Sequence, residues 1–192
     1  MEILNIEKEK AINAYRVGSD EQKQVLELLF GVETLKPKTV MDRVKTFEDA
    51  CRELGKDHPF VLAYQNTNLR DPEVADDNIE VLAYLKLRII TAALNEGWTP
   101  RFAKRDHRYF PYFYLYTDEE IRQMSEEEKS SLACFPGNDA YVYRGVSYAN
   151  VYYGFTSVNG PFGPLLVFKT RELAEYAGKQ FTKLYAEYLL KA

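Results

Sequence analysis

The stretch Tyr109-Phe110-Pro111-Tyr112-Phe113-Tyr114-Leu115-Tyr116 decides the fold class. Its side chains alternate, with Phe113 and Leu115 on one face and Tyr112, Tyr114 and Tyr116 on the other. Aromatic residues at a period of two are the pattern of a β-strand. Proline cannot donate to a strand ladder, so Pro111 places this strand at a sheet edge or at its own start. Before it the chain reads as helices. After it come further probable strands at 140–145, 147–156 and 164–169, punctuated by Gly137-Asn138, Gly145, Asn159-Gly160 and Gly163-Pro164.

Upstream, the strongest helix is expected over 76–96. Ile79, Leu82, Ala83, Lys86, Ile89, Ile90, Ala93 and Leu94 follow the 3.6-residue period, Asp76, Asp77 and Asn78 offer caps, and Gly97 ends it. Trp98 is placed to fold back on that helix. Nearer the N-terminus, Ser19 with Gln22 forms a capping box before an apolar face of Val25, Leu26, Leu29 and Phe30, and Gly31 stops it. A helix over 40–54 carries a break near Thr46 and stops at Gly55. Residues 56–75 hold Pro59, Pro72 and several Asn and Asp, which predicts a loop with one turn of helix at 60–65.

Downstream, Thr117 with Glu120 and Ser125 with Glu128 are two capping boxes, predicting short acidic helices at about 118–124 and 126–132. Thr170 caps a final helix whose buried stripe is Leu173, Ala174, Ala177, Phe181, Leu184, Tyr185 and Tyr188. The expected fold is α+β. A small, mostly antiparallel sheet (about 109–169) is packed by amphipathic helices at 76–96 and 171–190, with an N-terminal helical segment. The domains expected are 1–56, helical, and 76–192, α+β with a tyrosine-rich sheet, a single domain being the alternative.

Composition narrows the classes. The 192 residues are 46% hydrophobic and 28% charged, so a core needs no metal or disulfide staples. Aromatic residues reach 14%, with 15 Tyr and 11 Phe. The net charge of −4 argues against broad binding to nucleic acid or anionic membranes. Two cysteines, Cys51 and Cys134, make no disulfide framework and read as reduced, largely buried thiols. Residues 1–8 lack a basic region followed by an apolar run, so no signal peptide is expected. The apolar run 82–94 contains Lys86 and Arg88 and is too short to span a bilayer.

Several stretches together carry a resemblance. They are Lys45-Thr46-Phe47-Glu48-Asp49-Ala50-Cys51 onward to Gly55; Ala93-Leu94-Asn95-Glu96-Gly97-Trp98-Thr99-Pro100; 109–117; and 168–181. From about residue 6 to 190 the chain resembles an uncharacterised protein family encoded by phages, prophages and mobile elements of gut Bacteroidetes. The resemblance implies a small phage-type protein and no known activity. Members often carry Gly-Ser-Arg-Leu before the last strand, whereas here Gly163 is followed by Pro164-Leu165. The expected location is a cytoplasm, that of the host if phage-encoded, with virion association left open.

Three clusters could carry function. Tyr141, Tyr143, Tyr148, Asn150, Tyr152 and Tyr153 lie among glycines and serines, and between Leu132 and Phe168 the only charges are Asp139 and Arg144. Antibody paratopes use this mixture because tyrosine gives rigid contact area at low entropic cost. The alternative is that these tyrosines are the half-buried face of a sheet, since alternation sends only about every other one outward. The second cluster, Arg101, Lys104, Arg105 and Arg108 with the following Tyr109, Phe110, Tyr112 and Tyr114, joins cations to aromatics as single-stranded nucleic-acid platforms do. Given the acidic whole, a solvated loop keeping an edge strand soluble is the favoured account of it. The third is the six carboxylates of 118–128, which fall where helix dipoles favour negative charge.

No catalytic motif appears. There is no nucleophile elbow, phosphate-cradling glycine loop or dinucleotide fingerprint, and Cys134 has no basic neighbour in sequence to activate it. His58 and His107 form no metal-spaced set, so no metal or cofactor is expected. The expected function is therefore that of a non-enzymatic accessory protein binding a protein or other macromolecule through the tyrosine-rich surface. A single-stranded nucleic-acid binder is the second reading, and an enzyme of unrecognised type the third.

Overall fold

The computed structural model describes residues 6–35, 39–100, 107–134, 143–154 and 166–190. The chain forms two compact units, Met1–Asp42 and Arg43–Ala192.

The first unit is helical. In α1 (Lys8–Val17), α2 (Asp20–Phe30) and α3 (Val32–Leu35), Ala11, Tyr15 and Leu35 are buried, with Leu26 and Phe30 packed on them. The Ser19–Gln22 capping box forms in both directions, and Gly31 ends α2 at φ 77°, a conformation glycine adopts without penalty. Helix α4 (Val40–Arg43) spans the junction of the units.

The second unit is built around a buried helix. Helices α5 (Phe47–Leu54), α6 (Pro59–Asn66) and α7 (Pro72–Ala75) precede α8 (Ile79–Leu94). Thr46 is the expected break and caps α5 through a box with Asp49. The segment 56–75, expected as a loop with one helical turn, instead holds two turns in α6 and then short helical pieces. Pro59 starts α6 at a position where its missing N–H is not needed, and His58 Nδ1 accepts the Phe60 N–H at 3.2 Å. Leu87, Ile89, Ile90 and Leu94 of α8 are buried between α5 and α6 on one side and the C-terminal helices on the other.

Those C-terminal helices are α11 (Arg171–Gln180) and α12 (Thr182–Leu190), preceded by α9 (Asp118–Gln123) and α10 (Glu126–Ser130). The expected single helix over 171–190 is kinked at Phe181. The Thr182 hydroxyl donates back to the carbonyls of Gly178 at 2.7 Å and Lys179 at 3.1 Å, a contact that bends helices. Both capping boxes of the acidic segment form, with the Thr117 and Ser125 N–H groups donating to Glu120 and Glu128 at 2.7 and 2.8 Å.

The sheet has three antiparallel strands, β1 (Arg108–Thr117), β2 (Ala133–Cys134) and β3 (Tyr143–Gly154), in the order β1-β3-β2. Pro111 therefore lies on an edge strand, as its chemistry requires. Two expected strands, 140–145 and 147–156, are one continuous β3 in the described residues. Gly145 lies within it because a Cβ there would meet Ile121 Cδ1 of α9 at 2.8 Å. Of the strand expected over 164–169, residues 164 and 165 lie outside the described residues. The remainder makes one bridge, Phe168 to Tyr109, with backbone hydrogen bonds of 2.7 and 3.0 Å.

Helices α11 and α12 lie on one face of the sheet, and α8 packs mainly behind them. The closest approach is at Gly178. A Cβ there would lie 2.5 Å from Tyr148 Cδ2 and 2.7 Å from Pro111 Cβ. Phe113 meets the buried Tyr185 ring at 4.8 Å. Polar pins complete the unit. The buried Asn95 donates to Val167 O at 2.9 Å and accepts the Lys169 N–H at 3.0 Å, holding the bridging segment to the end of α8. Tyr176 donates to Val44 O at 2.7 Å and Gln180 to Lys45 O at 2.8 Å.

Two substitutions test this packing. In an open helix interior, glycine to alanine stabilises by up to about 1 kcal/mol. Here Gly178→Ala should instead destabilise by about 1–3 kcal/mol, because the methyl overpacks the helix–sheet contact. Chemical denaturation reads the sign, and a gain in stability would show that the contact has slack. Asn95→Ala leaves a buried carbonyl and N–H without their partner and should lower stability by about 2–4 kcal/mol in the same assay.

Candidate functional site

The face of the sheet away from α11 and α12 carries a ladder of rings. Strand β1 contributes Phe110, Tyr112, Tyr114 and Tyr116, and β3 contributes Tyr152. Phe110 and Tyr152 stack at 6.4 Å, Tyr152 and Tyr112 are 5.0 Å apart, and Tyr112–Tyr114 and Tyr114–Tyr116 follow at 6.0 and 6.4 Å. Tyr112, Tyr114 and Tyr152 are 42%, 56% and 52% exposed. No residue of the ladder is charged. The Ser147 hydroxyl donates to Tyr116 Oη at 3.3 Å.

A β-bulge creates this face. Tyr112 pairs with Asn150 but Phe113 pairs with Tyr148, so Ala149 has no residue opposite it. Strict alternation would put Tyr148 and Tyr152 on one face, being four residues apart. The extra residue shifts the phase between them. Tyr148 then faces the helices with Phe113 and Val151, while Tyr152 faces outward with Tyr112.

The tyrosines expected to act together are therefore dispersed. Tyr148 lies against Gly178, its ring 5.4 Å from Lys179 Nζ, and burial followed by Glu175 raises its hydroxyl above the usual phenol range. Tyr153 is exposed but groups with His107 and Tyr109 on the other side of β3 from Tyr152. Tyr143 is exposed near the start of β3, opposite Thr117. Asn150 accepts from Arg171 at 3.0 Å and from the Val151 N–H at 2.8 Å, so its carboxamide oxygen is engaged within the chain. Tyr141 lies outside the described residues. Among the described residues of this set, only Tyr152 joins the ladder.

Of the second cluster, Tyr112 is in the ladder, whereas Arg108 is buried at 5% exposure. Arg101, Lys104 and Arg105 lie outside the described residues. Sequence reasoning set Phe110 and Tyr114 only beside the basic cluster and left Tyr116 out of any site. Their signal was present in the alternation of 109–116, which already set Tyr112, Tyr114 and Tyr116 on one face.

The rim of the ladder is acidic. Helix α9 starts directly from β1, and its Ile121 covers Gly145 beside Tyr116. Across α9 and the adjoining α10 there are six carboxylates against Arg122 and Lys129. Asp118 is bridged to Arg144 at 3.5 Å.

A separate cleft of about 690 Å³ opens between the segment leading into β2, β3 and the junction of α11 and α12, lined by Ser131, Cys134, Tyr148, Lys179, Thr182 and Lys183 among others. Cys134 is exposed and free, not buried as expected. Partial burial of its thiol, and then the Asp118 charge, raise its pKa. That is opposite to what a nucleophile needs. Among the described residues no group of three or more His, Cys, Asp or Glu could hold a metal ion, and no helix is long and apolar enough to cross a membrane.

No family model matches the chain, and no curated protein or solved structure does either.

The Cys134 environment makes a kinetic prediction. Near neutral pH, modification of Cys134 by a thiol reagent should be slower than that of an unstructured cysteine peptide, because less thiolate is present. The rate should rise with pH, and Asp118→Asn should speed it. A rate at pH 7 above that of the peptide would mark an activated thiol.

Proposed function

We propose that this chain is a non-enzymatic interaction protein that binds a macromolecular partner through the aromatic ladder. The observation that carries the reading is five contiguous, uncharged rings, three of them about half exposed, on a sheet face that the C-terminal helices do not cover. Exposed aromatic patches are uncommon without a partner, and tyrosine is enriched where binding energy concentrates. The rings are also pre-ordered by the strands, so docking loses little side-chain entropy.

In line with the family resemblance, we place the protein among accessory proteins of phages or mobile elements, acting in a host cytoplasm. The single-stranded nucleic-acid reading keeps the stacking platform but has weaker support. Arg108 is buried, and α9, which starts at the end of β1, is acidic, which opposes phosphate. An enzymatic reading has no support from Cys134, whose thiol is shifted away from reactivity.

Threonine keeps strand preference while removing the ring. Tyr112→Thr combined with Tyr152→Thr should therefore leave the fold intact by circular dichroism and thermal melting. Capture of the partner from host lysate by the immobilised chain should fall at least tenfold, whereas Tyr153→Thr should leave it unchanged. Undiminished capture by the double variant would remove the ladder as the binding face.

A further inference from the structure

The ladder and its rim together define what kind of partner fits. We propose that the face takes a proline-rich segment of a partner protein, held in the polyproline II conformation with a basic residue directed to α9. This rests on the ladder being the partner surface.

Three features lead there. First, the site is a row of tyrosines, so each ring offers a flat apolar face and most offer a hydroxyl at the tip. A polyproline II chain has no internal hydrogen bonds, so its carbonyls are available to such hydroxyls, and its pyrrolidine rings pack on aromatic faces. It is also ordered before binding, which lowers the entropic penalty. Second, successive rings along β1 stand 6.0 and 6.4 Å apart. At about 3.1 Å per residue and three residues per turn, a polyproline II segment of about five residues runs along all three rings.

Third, acidic side chains stand at the Tyr116 end. The ladder is neutral, and at its Tyr116 end α9 brings Glu119 and Glu120 against Arg122, Asp118 being bridged to Arg144. The Glu120 carboxyl is held below the usual carboxylate range by the Thr117 N–H and hydroxyl, so it carries its charge at neutral pH. A basic side chain on the ligand is favoured at that end and fixes its direction, while a polyanion is disfavoured. Nucleic acid would bring phosphates to this acidic end.

The test uses the full chain and fluorescence anisotropy. The probe is a labelled peptide of about twelve residues with repeated X-Pro units and an arginine pair at one end. Comparison ligands replace Pro by Ala, replace Arg by Glu, or substitute a labelled oligothymidylate. The proline–arginine peptide should bind best. Binding should weaken at least tenfold with Pro replaced, and at low salt at least severalfold with Arg replaced. Added salt should narrow the Arg–Glu difference. Tyr112→Thr with Tyr152→Thr should weaken it at least tenfold, and Glu119→Lys, outside the ladder, should reduce the preference for arginine over glutamate.

Equal binding of the alanine peptide, or no binding of the proline peptide, overturns the proposal. So does preferential, salt-sensitive binding of the oligothymidylate. Concentration-dependent dimerisation abolished by the tyrosine substitutions overturns it too, by assigning the face to a second copy of the chain. If these outcomes occur while tyrosine-dependent capture from lysate persists, the binding face stands and only the ligand class falls.

Discussion

A pleated strand sends alternate side chains to opposite faces, so two tyrosines four residues apart share a face unless an extra residue intervenes between them. In β3 that residue is Ala149. On its N-terminal side Tyr148 turns toward the helices, fills the space left by Gly178, and meets Phe113 edge to face at 6.3 Å. On its C-terminal side Val151 takes the inner position and Tyr152 the outer one. Without the phase shift, either Tyr152 would enter the core or Tyr148 would leave it, and α11 would lose the ring on which it closes. The fit of the helix layer and the composition of the open face thus depend on one unpaired residue.

The helix layer adds its own constraint. Glycine in mid-helix is unfavourable by about 1 kcal/mol relative to alanine, yet Gly178 lies inside α11. The close approach to Tyr148 and Pro111 offsets that penalty through contact area. Pro111 tolerates its place for a related reason. Tyr109 uses its outward N–H and C=O on Phe168, and residues two apart on a strand point their backbone groups the same way. The donor that Pro111 lacks therefore faces the sheet edge and not β3.

Much of this was legible in the sequence because it depends on local chemistry. The boxes Ser19–Gln22, Thr117–Glu120 and Ser125–Glu128 each bring a side chain to a backbone N–H within four residues, and all three form. Gly31, Gly55 and Gly97 take positive φ at helix ends, and Tyr112, Tyr114 and Tyr116 share a face as their spacing implied. What was not legible depends on distant partners. The bulge at Ala149 is defined by the register against β1, some forty residues away. Asn95 reads as a helix-end residue, yet its carboxamide is committed to Val167 and Lys169. Arg108 reads as a surface cation but is buried at the start of β1. The short β2 lacks the length to show a period.

The acidic segment shows how one set of residues answers two demands. Glu120 and Glu128 are present for a local reason, since each satisfies the N–H at the start of its own helix and gains from the helix dipole. That account is sufficient for their identity and needs no partner. Their location follows from a different fact: Thr117 both ends β1 and caps α9, so the helix must begin where the ladder ends. Local capping chemistry thereby sets a negative field beside an uncharged aromatic face, whatever that face binds. Because Tyr116, Gly145 and Ile121 are in contact, the field acts at the Tyr116 end of the ladder. A symmetric row of rings thus acquires a direction, and a ligand chain reading that row has one favoured polarity.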